Sequence, residues 1–404
     1  MWLCSFLFPS LIVLIVLRKT PVETEMQQCQ LYFMMNSYNN RIPNPNNYFS
    51  LFSHLYVVMK KQKRTTIYDI AKKLNLNASS VSRALSNNSN VSEATRQLIL
   101  ATAKELNYQQ NSMASNLRKG QNQTIGVIVP RINQNFFADI IAGLEEVTYQ
   151  KGYNLVICQS NESYLREIKC VNTLINQHVS CIAISICADF EDDSHLRNIK
   201  EHGIPLIQFD RVTDTLDTFK VLNDNEQASM EAVSHMIEQG YKRIALLEGP
   251  QNLNIFRQRK EGYLKALKKH NYPLVPELIK ENAWTKELGA ESTRQLLSLP
   301  EPPDAIFAST SDFSALGVLE VATKKGLKVP EELGICGYSN EPFTEITSPS
   351  ITTIDQYSVS MGKAIANLYF QEIDFMDNGS HPQTVSIKPQ LIVRSSTLRN
   401  KNRV

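Results

Sequence analysis

The segment between residues 77 and 85 carries the side chains whose types and spacing most directly suggest chemistry. Asn77 can cap a short helix from Ala78 to Leu85. The apolar spacing turns Val81 inward and leaves small polar residues and Arg83 on the outer surface. An arginine guanidinium can donate two hydrogen bonds to one planar acceptor, such as a guanine edge. The pattern is typical of a helix that reads a groove of DNA.

The charge distribution along the chain is strongly asymmetric, although the formal net charge is only +2. Residues 59–120 contain eleven Lys or Arg and three Asp or Glu, a net charge of +8. Residues 121–404 carry a net charge of −7. A basic block on an acidic body predicts that one end of the molecule meets a polyanion and the other does not.

Two further helices are predicted around the Arg83 segment. Residues 66–74 place their apolar side chains on one face, Asn75 tolerates the left-handed backbone of a tight turn, and Ser92 can cap a third helix. Three short helices that each bury one face form a helix-turn-helix domain. An ordinary three-helix bundle is the alternative, and it leaves the net charge of +8 unexplained.

The chain resembles one known family over most of its length. The stretch TTIYDIAKKLNLNASSVSRALSNNSNVSEATRQLILATAKELNY and the segment NSMASNLRKG are similar to the DNA-binding headpiece and hinge of the lactose/galactose repressor (LacI/GalR) family. The resemblance runs from residue 66 to about residue 399. It implies a headpiece at residues 59–110, a hinge at residues 111–120, and an effector-binding and dimerisation core at residues 121–404.

The resemblance also assigns roles to headpiece and hinge residues. Ala78, Ser79 and Arg83 match the positions that read base edges, and Arg83 is expected to discriminate most strongly. Leu117 matches a leucine that is wedged into the minor groove and kinks the DNA. Positions that contact phosphates and set the register are matched by Thr66, Tyr68, Ser80, Ser82 and Asn111. Ala114 matches a further DNA contact. By composition alone the hinge is also typical of a plain linker, and Gln109 and Gln110 stand where the family usually has a proline.

Residues 121–404 alternate apolar strand patterns with amphipathic helix patterns. Such repeats predict parallel sheets with helices on both faces. The predicted strands are Thr124–Pro130, Asn154–Gln159, Cys181–Ile186, Ile204–Phe209, Arg243–Leu247 and Ala305–Ala308. The expected fold class is therefore α/β, with a helix-turn-helix headpiece and a two-lobed core. The resemblance implies that this core has the type I periplasmic-binding-protein fold, whose chain crosses between the lobes three times.

Ligands of such folds bind beyond the carboxyl ends of the strands, in the cleft between the lobes. By resemblance, the effector contacts are Phe136, Phe137, Asp210, Arg211, Arg259, Trp284 and Asp312. Arg259 and Asp312 would bond ligand hydroxyls, and Trp284 would pack on the face of a sugar ring. Structural roles stay open for the others: helix-start packing for the two phenylalanines, an ion pair for Asp210 with Arg211, and core packing for Trp284.

Enzyme chemistry finds little support in the sequence. The chain contains no GxGxxG, GxxxxGK[ST], HExxH or GxSxG motif. Its seven histidines and seven cysteines show neither catalytic nor metal-ligand spacing. We therefore expect a protein that is not an enzyme and that takes neither metal nor cofactor. Scattered cysteines in a chain of this size are typical of reduced thiols in the cytoplasm.

Residues 1–58 allow three interpretations. Residues 2–17 are apolar but fewer than the roughly 20 residues that span a bilayer, and Asn-rich sequence follows. The first interpretation is that the extension is disordered or not part of the native protein, with translation starting at Met59. The second is a membrane anchor, with Arg18 and Lys19 keeping the following chain cytoplasmic. The third is a secretory signal.

Taken together, these features predict a sequence-specific transcriptional regulator, most simply a repressor, that acts in the cytoplasm at the nucleoid. We expect a homodimer on palindromic operator DNA, because one headpiece contacts few bases. A small effector, a sugar or sugar derivative, is expected to control operator affinity. The alternatives are a membrane-tethered regulator of the same type and a periplasmic sugar-binding receptor. The effector's identity, the sign of its effect and the operator sequence are not predicted.

Overall fold

The computed structural model describes residues 2–8, 11–17, 65–85, 91–108, 122–372 and 382–399. The chain divides into two units, Met1–Gln110 and Asn111–Val404. The predicted hinge contacts Asn111, Ala114 and Leu117 lie outside the described residues.

The apolar start of the chain forms two paired strands. Strand β1 (Trp2–Phe8) runs antiparallel to β2 (Leu11–Leu17), with Trp2 opposite Leu17. Within the part of the chain that the structure describes, no helix is both long enough and apolar enough to cross a membrane.

Three short helices form the basic unit: α1 (Ile67–Leu74), α2 (Ala78–Leu85) and α3 (Glu93–Glu105). Asn75 ends α1 with a φ of 51°, and the Ser92 side chain accepts from the backbone N–H of Thr95 at the start of α3. Ile70, Val81 and Ile99 are fully buried, one from each helix. The apolar faces predicted from the sequence therefore meet in one small core.

The first lobe of the second unit is built on a six-stranded parallel sheet. Its strands are β3 (Thr124–Val129), β4 (Asn154–Gln159), β5 (Cys181–Ile184), β6 (Leu206–Phe209), β7 (Phe219–Asn223) and β13 (Thr384–Ile387), in the order β13-β7-β6-β5-β3-β4. Helices α4 (Asn135–Gln150), α5 (Tyr164–Asn176), α6 (Ser194–Glu201) and α12 (Ser358–Glu372) cover the sheet. Two separate apolar clusters hold the helices on its faces. Both faces are buried, which explains why the strands have near-continuous apolar runs.

The second lobe is built on a four-stranded parallel sheet. Its strands are β8 (Ile244–Leu247), β9 (Ile279–Lys280), β10 (Ala305–Ala308) and β11 (Gly334–Cys336), in the order β11-β10-β8-β9. The helices of this lobe are α7 (Asn225–Glu238), α8 (Asn254–Lys269), α9 (Lys286–Leu296), α10 (Asp312–Lys325) and α11 (Phe343–Ile346).

The chain passes between the lobes after β7, after β12 (Thr353–Asp355) and between β13 and β14 (Gln390–Ile392). The side chain of Asn223 ties these passages together. Its Nδ2 donates to the carbonyl oxygen of Gln356 at 3.0 Å and to that of Ile387 at 3.4 Å. The carboxyl ends of both sheets consequently face a common cleft.

Candidate functional site

The outer face of α2 presents the predicted base readers. Ser79 and Arg83 are exposed, Ala78 is half-buried, and Val81 and Ala84 pack inward. The Nε of Arg83 donates to the carbonyl oxygen of Ser79 at 3.2 Å. This bond steadies the guanidinium on the helix surface and leaves its two Nη groups for another partner.

The predicted phosphate contacts that the structure describes lie at the start of α1 and on α2. Tyr68 on α1 is 71% exposed, and Ser80 and Ser82 are half-buried. The backbone N–H of Thr66 donates to Asp69 Oδ2 at 2.8 Å in a capping box, and the Thr66 hydroxyl donates to the same oxygen at 2.7 Å. Thr66 is thus already used to begin α1, and a phosphate contact from its hydroxyl would compete with that bond.

The second unit contains a cleft between its two lobes with about 540 Å³ of empty space, its open mouth included. The structure brings six of the seven predicted effector residues to its walls: Phe136, Phe137, Asp210, Arg211, Arg259 and Trp284. Lining residues that the sequence did not single out are Gln134, Ile255, Phe256, Thr310, Ser311, Phe313, Ser339, Glu341 and Gln356. Nearly all follow a strand at its carboxyl end, as expected for this type of sheet.

Arg259 is buried in the floor of the cleft and is held on several sides. Its Nε donates to Asn225 Oδ1 at 3.0 Å, and its Nη2 donates to Gln356 Oε1 at 3.1 Å. Its Nη1 donates to the carbonyl oxygens of Ser309 and Thr310 at 2.9 and 3.4 Å. The guanidinium also lies 3.6 Å from the ring centroid of Tyr338. Burial lowers the pKa of Arg259, but a guanidinium stays charged in proteins.

Asp210 and Arg211 form the opposite wall, and their pairing differs from a simple ion pair. The closest approach between them, from Arg211 Nε to Asp210 Oδ2, is 4.0 Å. Arg211 instead donates from Nη1 to both carboxylate oxygens of Glu162, at 3.1 and 2.8 Å. Asp210 Oδ1 is buried without a hydrogen-bond partner among the described residues. Burial raises the pKa of the Asp210 carboxyl.

Aromatic rings supply the apolar part of the cleft. Phe136 and Phe137 begin α4 and pack edge to face, with centroids 5.2 Å apart. Both are buried and belong to the core of the first lobe, so they also serve the helix-start packing considered above. Trp284 is half-buried at the wall rather than inside the core. Rings at these places can pack on the C–H face of a small ligand.

Asp312 is not at the cleft surface. It is fully buried, its Oδ2 accepts from the backbone N–H of Glu341 at 2.8 Å, and its Oδ1 accepts from the Thr353 hydroxyl at 2.7 Å. Burial raises the pKa of the Asp312 carboxyl to about 6. In this structure the side chain holds the loop after β11, and direct contact with an effector stays a prediction.

Glu341, which Asp312 holds in place, is the acid of the second lobe that lines the cleft. Asn135 Nδ2 from the first lobe donates to Glu341 Oε2 at 2.7 Å, which links the two lobes. Burial and the nearby Asp312 raise the pKa of Glu341 to about 7. Its position just beyond the strand β11 is the signal that could have identified it from sequence.

The described residues contain no cluster of His, Cys, Asp and Glu that could hold a metal ion. A basic helix-turn-helix unit with an exposed reading helix, joined in one chain to a two-lobed cleft, defines a DNA-binding regulator with an effector domain.

Comparison with known proteins agrees with this class. Residues 66–111 match bacterial regulatory proteins of the lacI family, and residues 233–397 match the periplasmic binding protein-like domain. The HTH-type transcriptional repressor CytR of Escherichia coli (strain K12) is 32% identical over 343 residues, which are 84% of this chain and 98% of CytR.

Two solved structures show the same architecture. The lac repressor dimer bound to operator and the anti-inducer ONPF is similar with a TM-score of 0.72 at 24% identity, over 83% of this chain and 100% of that one. The complex of the transcriptional regulator CelR with cellobiose is similar with a TM-score of 0.62 at 27% identity, over 82% and 100%.

The chain belongs to the lacI family of bacterial regulatory proteins. It is a DNA-binding transcriptional repressor with an effector-binding core, and the predicted family and α/β fold class are confirmed.

Proposed function

We propose that the effector of this repressor is a sugar or sugar derivative, which binds in the cleft and changes the affinity for operator DNA. The observation that carries the proposal is the mixed lining of the cleft, where the acids Asp210 and Glu341 and the aromatic rings of Phe136, Phe137 and Trp284 border one space. A compound with several hydroxyls and an apolar face matches the mixture of polar groups and rings around it.

The similar CelR structure contains cellobiose, which supports a sugar as the class of effector. A ligand that contacts both lobes favours a closed cleft. Closure of the cleft is therefore how effector binding would change the affinity for operator DNA.

On the DNA side, we propose that two copies of the chain bind a palindromic operator. Arg83 would read a guanine, Ala78 and Ser79 would add weaker base contacts, and Thr66, Tyr68, Ser80 and Ser82 would set the register on the phosphates. Asn111, Ala114 and Leu117 would act in the hinge. We place the protein in the cytoplasm at the nucleoid, where operator DNA is found.

The experiment is to map DNA occupancy in the native cell with a tag at the C-terminus. We expect a few sites that share a two-fold symmetric sequence next to sugar transport or hydrolase genes. Fluorescence anisotropy on one such site, with and without the sugars that those genes handle, then identifies the effector. Absence of specific sites, with the protein recovered in the membrane or envelope fraction, would overturn the proposal in favour of a tethered regulator or a sugar receptor.

A further inference from the structure

Two half-buried cysteines meet where β4 packs against α5 in the first lobe. Cys158 lies on β4, the outermost strand of the described six-stranded sheet, and Cys170 lies on α5. Both side chains pack against the same apolar cluster between this helix and the sheet. The Cys170 thiol lies 3.7 Å from the carbonyl oxygen of Gln159, the residue after Cys158, and a hydrogen bond joins the two cysteine side chains. The two sulfurs are therefore neighbours.

This pair differs from the other cysteines that the structure describes in the second unit. Cys181, Cys187 and Cys336 are fully buried, and burial raises the pKa of each thiol. Cys158 and Cys170 are only partly buried, so a small reagent can reach them. The hydrogen bond from the Cys170 thiol lowers the pKa of Cys158 to about 7, and the same bond raises the pKa of Cys170. Since the thiolate is the nucleophile in sulfur chemistry, Cys158 is the sulfur that reacts first.

The chain between the two cysteines includes a turn that contacts a wall of the cleft. Asn161 and Glu162 have φ values of 52° and 61°, which residues other than glycine adopt infrequently. The Glu162 carboxylate accepts from Arg211 Nη1 at 2.8 Å and from the backbone N–H of Ala188 at 2.9 Å. Arg211 in turn lines the cleft. A covalent bond across the ends of this segment would thus act close to a side chain that holds the cleft wall.

We propose that Cys158 and Cys170 form a redox-modification site, which a peroxide oxidises to a disulfide between β4 and α5. In reducing compartments such bonds are transient, and they are usually catalytic or redox-sensing. The oxidation does not depend on which effector binds. Only its consequence for the cleft rests on the proposed effector function.

The oxidation proceeds in two steps. The Cys158 thiolate attacks one oxygen of the peroxide, the O–O bond breaks, and the leaving oxygen takes up a proton, which gives Cys158 sulfenic acid and water or an alcohol. The Cys170 sulfur then attacks the Cys158 sulfur, the S–S bond forms, and the S–O bond breaks as hydroxide leaves with the Cys170 proton as water. The two thiols together lose two electrons, which the peroxide accepts. A dithiol reverses the change by thiol–disulfide exchange.

The test uses the reduced full-length protein and hydrogen peroxide. Peptides of the treated protein are mapped by mass spectrometry without reduction. We expect one disulfide within the chain, between Cys158 and Cys170, which forms before the fully buried cysteines are modified and is removed by dithiothreitol. A bond between other cysteines, a bond between two chains, or the absence of any disulfide would overturn the proposal.

Two single variants serve as controls for each other. In Cys170→Ser no thiol is left to displace the hydroxide from Cys158 sulfenic acid, so dimedone should trap that acid. In Cys158→Ser, dimedone should label Cys170 at least about tenfold less, because the sulfur with the lower pKa is gone. Circular dichroism shows whether each variant is folded, and the map of the wild-type protein decides the main question without them. Equal labelling of the two variants would contradict the order of attack.

The consequence for the cleft has its own readout. Hydrogen exchange of the reduced and the oxidised protein should slow several-fold in residues 159–169 on oxidation, because the disulfide restricts local opening. Exchange around Arg211, the partner of Glu162, should change as well, whereas β10 in the second lobe serves as the unchanged control. A change confined to residues 159–169 would overturn the link to the cleft while sustaining the redox site. Failure of the proposed effector function would leave the disulfide map as it is.

Discussion

At the scale of single residues, Arg83 and Asp312 show how differently two charged side chains can be used. Arg83 is exposed on α2 and fixed by one bond to its own helix, which suits a contact with a partner. Asp312 is fully buried, and its carboxylate accepts from Glu341 and Thr353. The Arg83 side chain is therefore available for contact with DNA, whereas the Asp312 side chain holds the loop after β11.

Replacement of Arg83 should separate specific from non-specific DNA binding. Arg83→Ala is expected to lose about 1–3 kcal/mol on the operator, since a bidentate contact to guanine contributes that much discrimination. Random DNA should be bound nearly as before. Anisotropy titrations with both DNAs measure the difference. The control is Lys104→Ala, which removes one charge from an exposed position of α3. Equal losses on both DNAs would contradict a base-reading role.

Replacement of Asp312 should reduce stability before it affects recognition. Asp312→Ala leaves the buried N–H of Glu341 and the hydroxyl of Thr353 without their acceptor, which costs about 1–3 kcal/mol for each group. We expect urea unfolding to show a loss of about 2–4 kcal/mol, after some local rearrangement. If the variant keeps its stability but no longer responds to effector, that result would instead support the direct contact between Asp312 and the effector that the sequence predicts.

At the scale of elements, the contact between α4 and α12 positions one wall of the cleft. A Cβ on Gly143 would lie 2.1 Å from the carbonyl oxygen of Val359, and one on Gly362 would lie 2.0 Å from that of Ile140. Both obstacles are backbone atoms, which cannot move aside cheaply. The glycines thus let the helices approach closely, and α4 carries Phe136 and Phe137 into the cleft.

Gly362→Ala tests this helix pair. The added methyl group must push the helices apart, and overpacking of this kind costs about 1–3 kcal/mol or more. Urea unfolding should show that loss, and effector affinity should fall because the phenylalanine wall moves. Ser360→Ala, at an exposed position of the same helix, should change stability by less than about 0.5 kcal/mol. Identical urea midpoints of unfolding for the two variants would show that stability does not require the close approach of α4 and α12.

At the scale of the whole molecule, function depends on two sites in one chain that affect each other. DNA binding belongs to the basic unit and effector binding to the two-lobed unit. If the effector changes operator affinity by some factor, the operator must change effector affinity by the same factor. Whatever its sign, the effect must have the same magnitude from both directions.

This reciprocity is a direct prediction. Once the effector is identified, we expect a change in operator affinity of about 5- to 150-fold, the usual range of allosteric coupling. Calorimetry of the effector with and without saturating operator should return the same factor as anisotropy of the operator with and without effector. A large effect in one direction alone would exclude a simple two-site linkage in this protein.

The sequence by itself determined the features that arise from short stretches of chain. The strands Asn154–Gln159 and Ala305–Ala308 were predicted with their observed bounds, and Asn75 and Ser92 end and begin helices as expected. These follow from apolar periodicity, side-chain capping and backbone preference, all of which act between near neighbours. The basic charge of the reading unit is likewise a property of composition alone.

The tertiary structure alone decided how the charged groups around the cleft are paired and which acid of the second lobe lines it. Glu162 rather than Asp210 pairs with Arg211, and Glu341 rather than Asp312 points its carboxylate at the ligand space. The partners involved are far apart in sequence, as in the contact between Asn135 and Glu341. The burial and the pKa of these groups depend on how the two sheets face each other. Local sequence patterns contain no information about contacts between residues that are far apart in the chain.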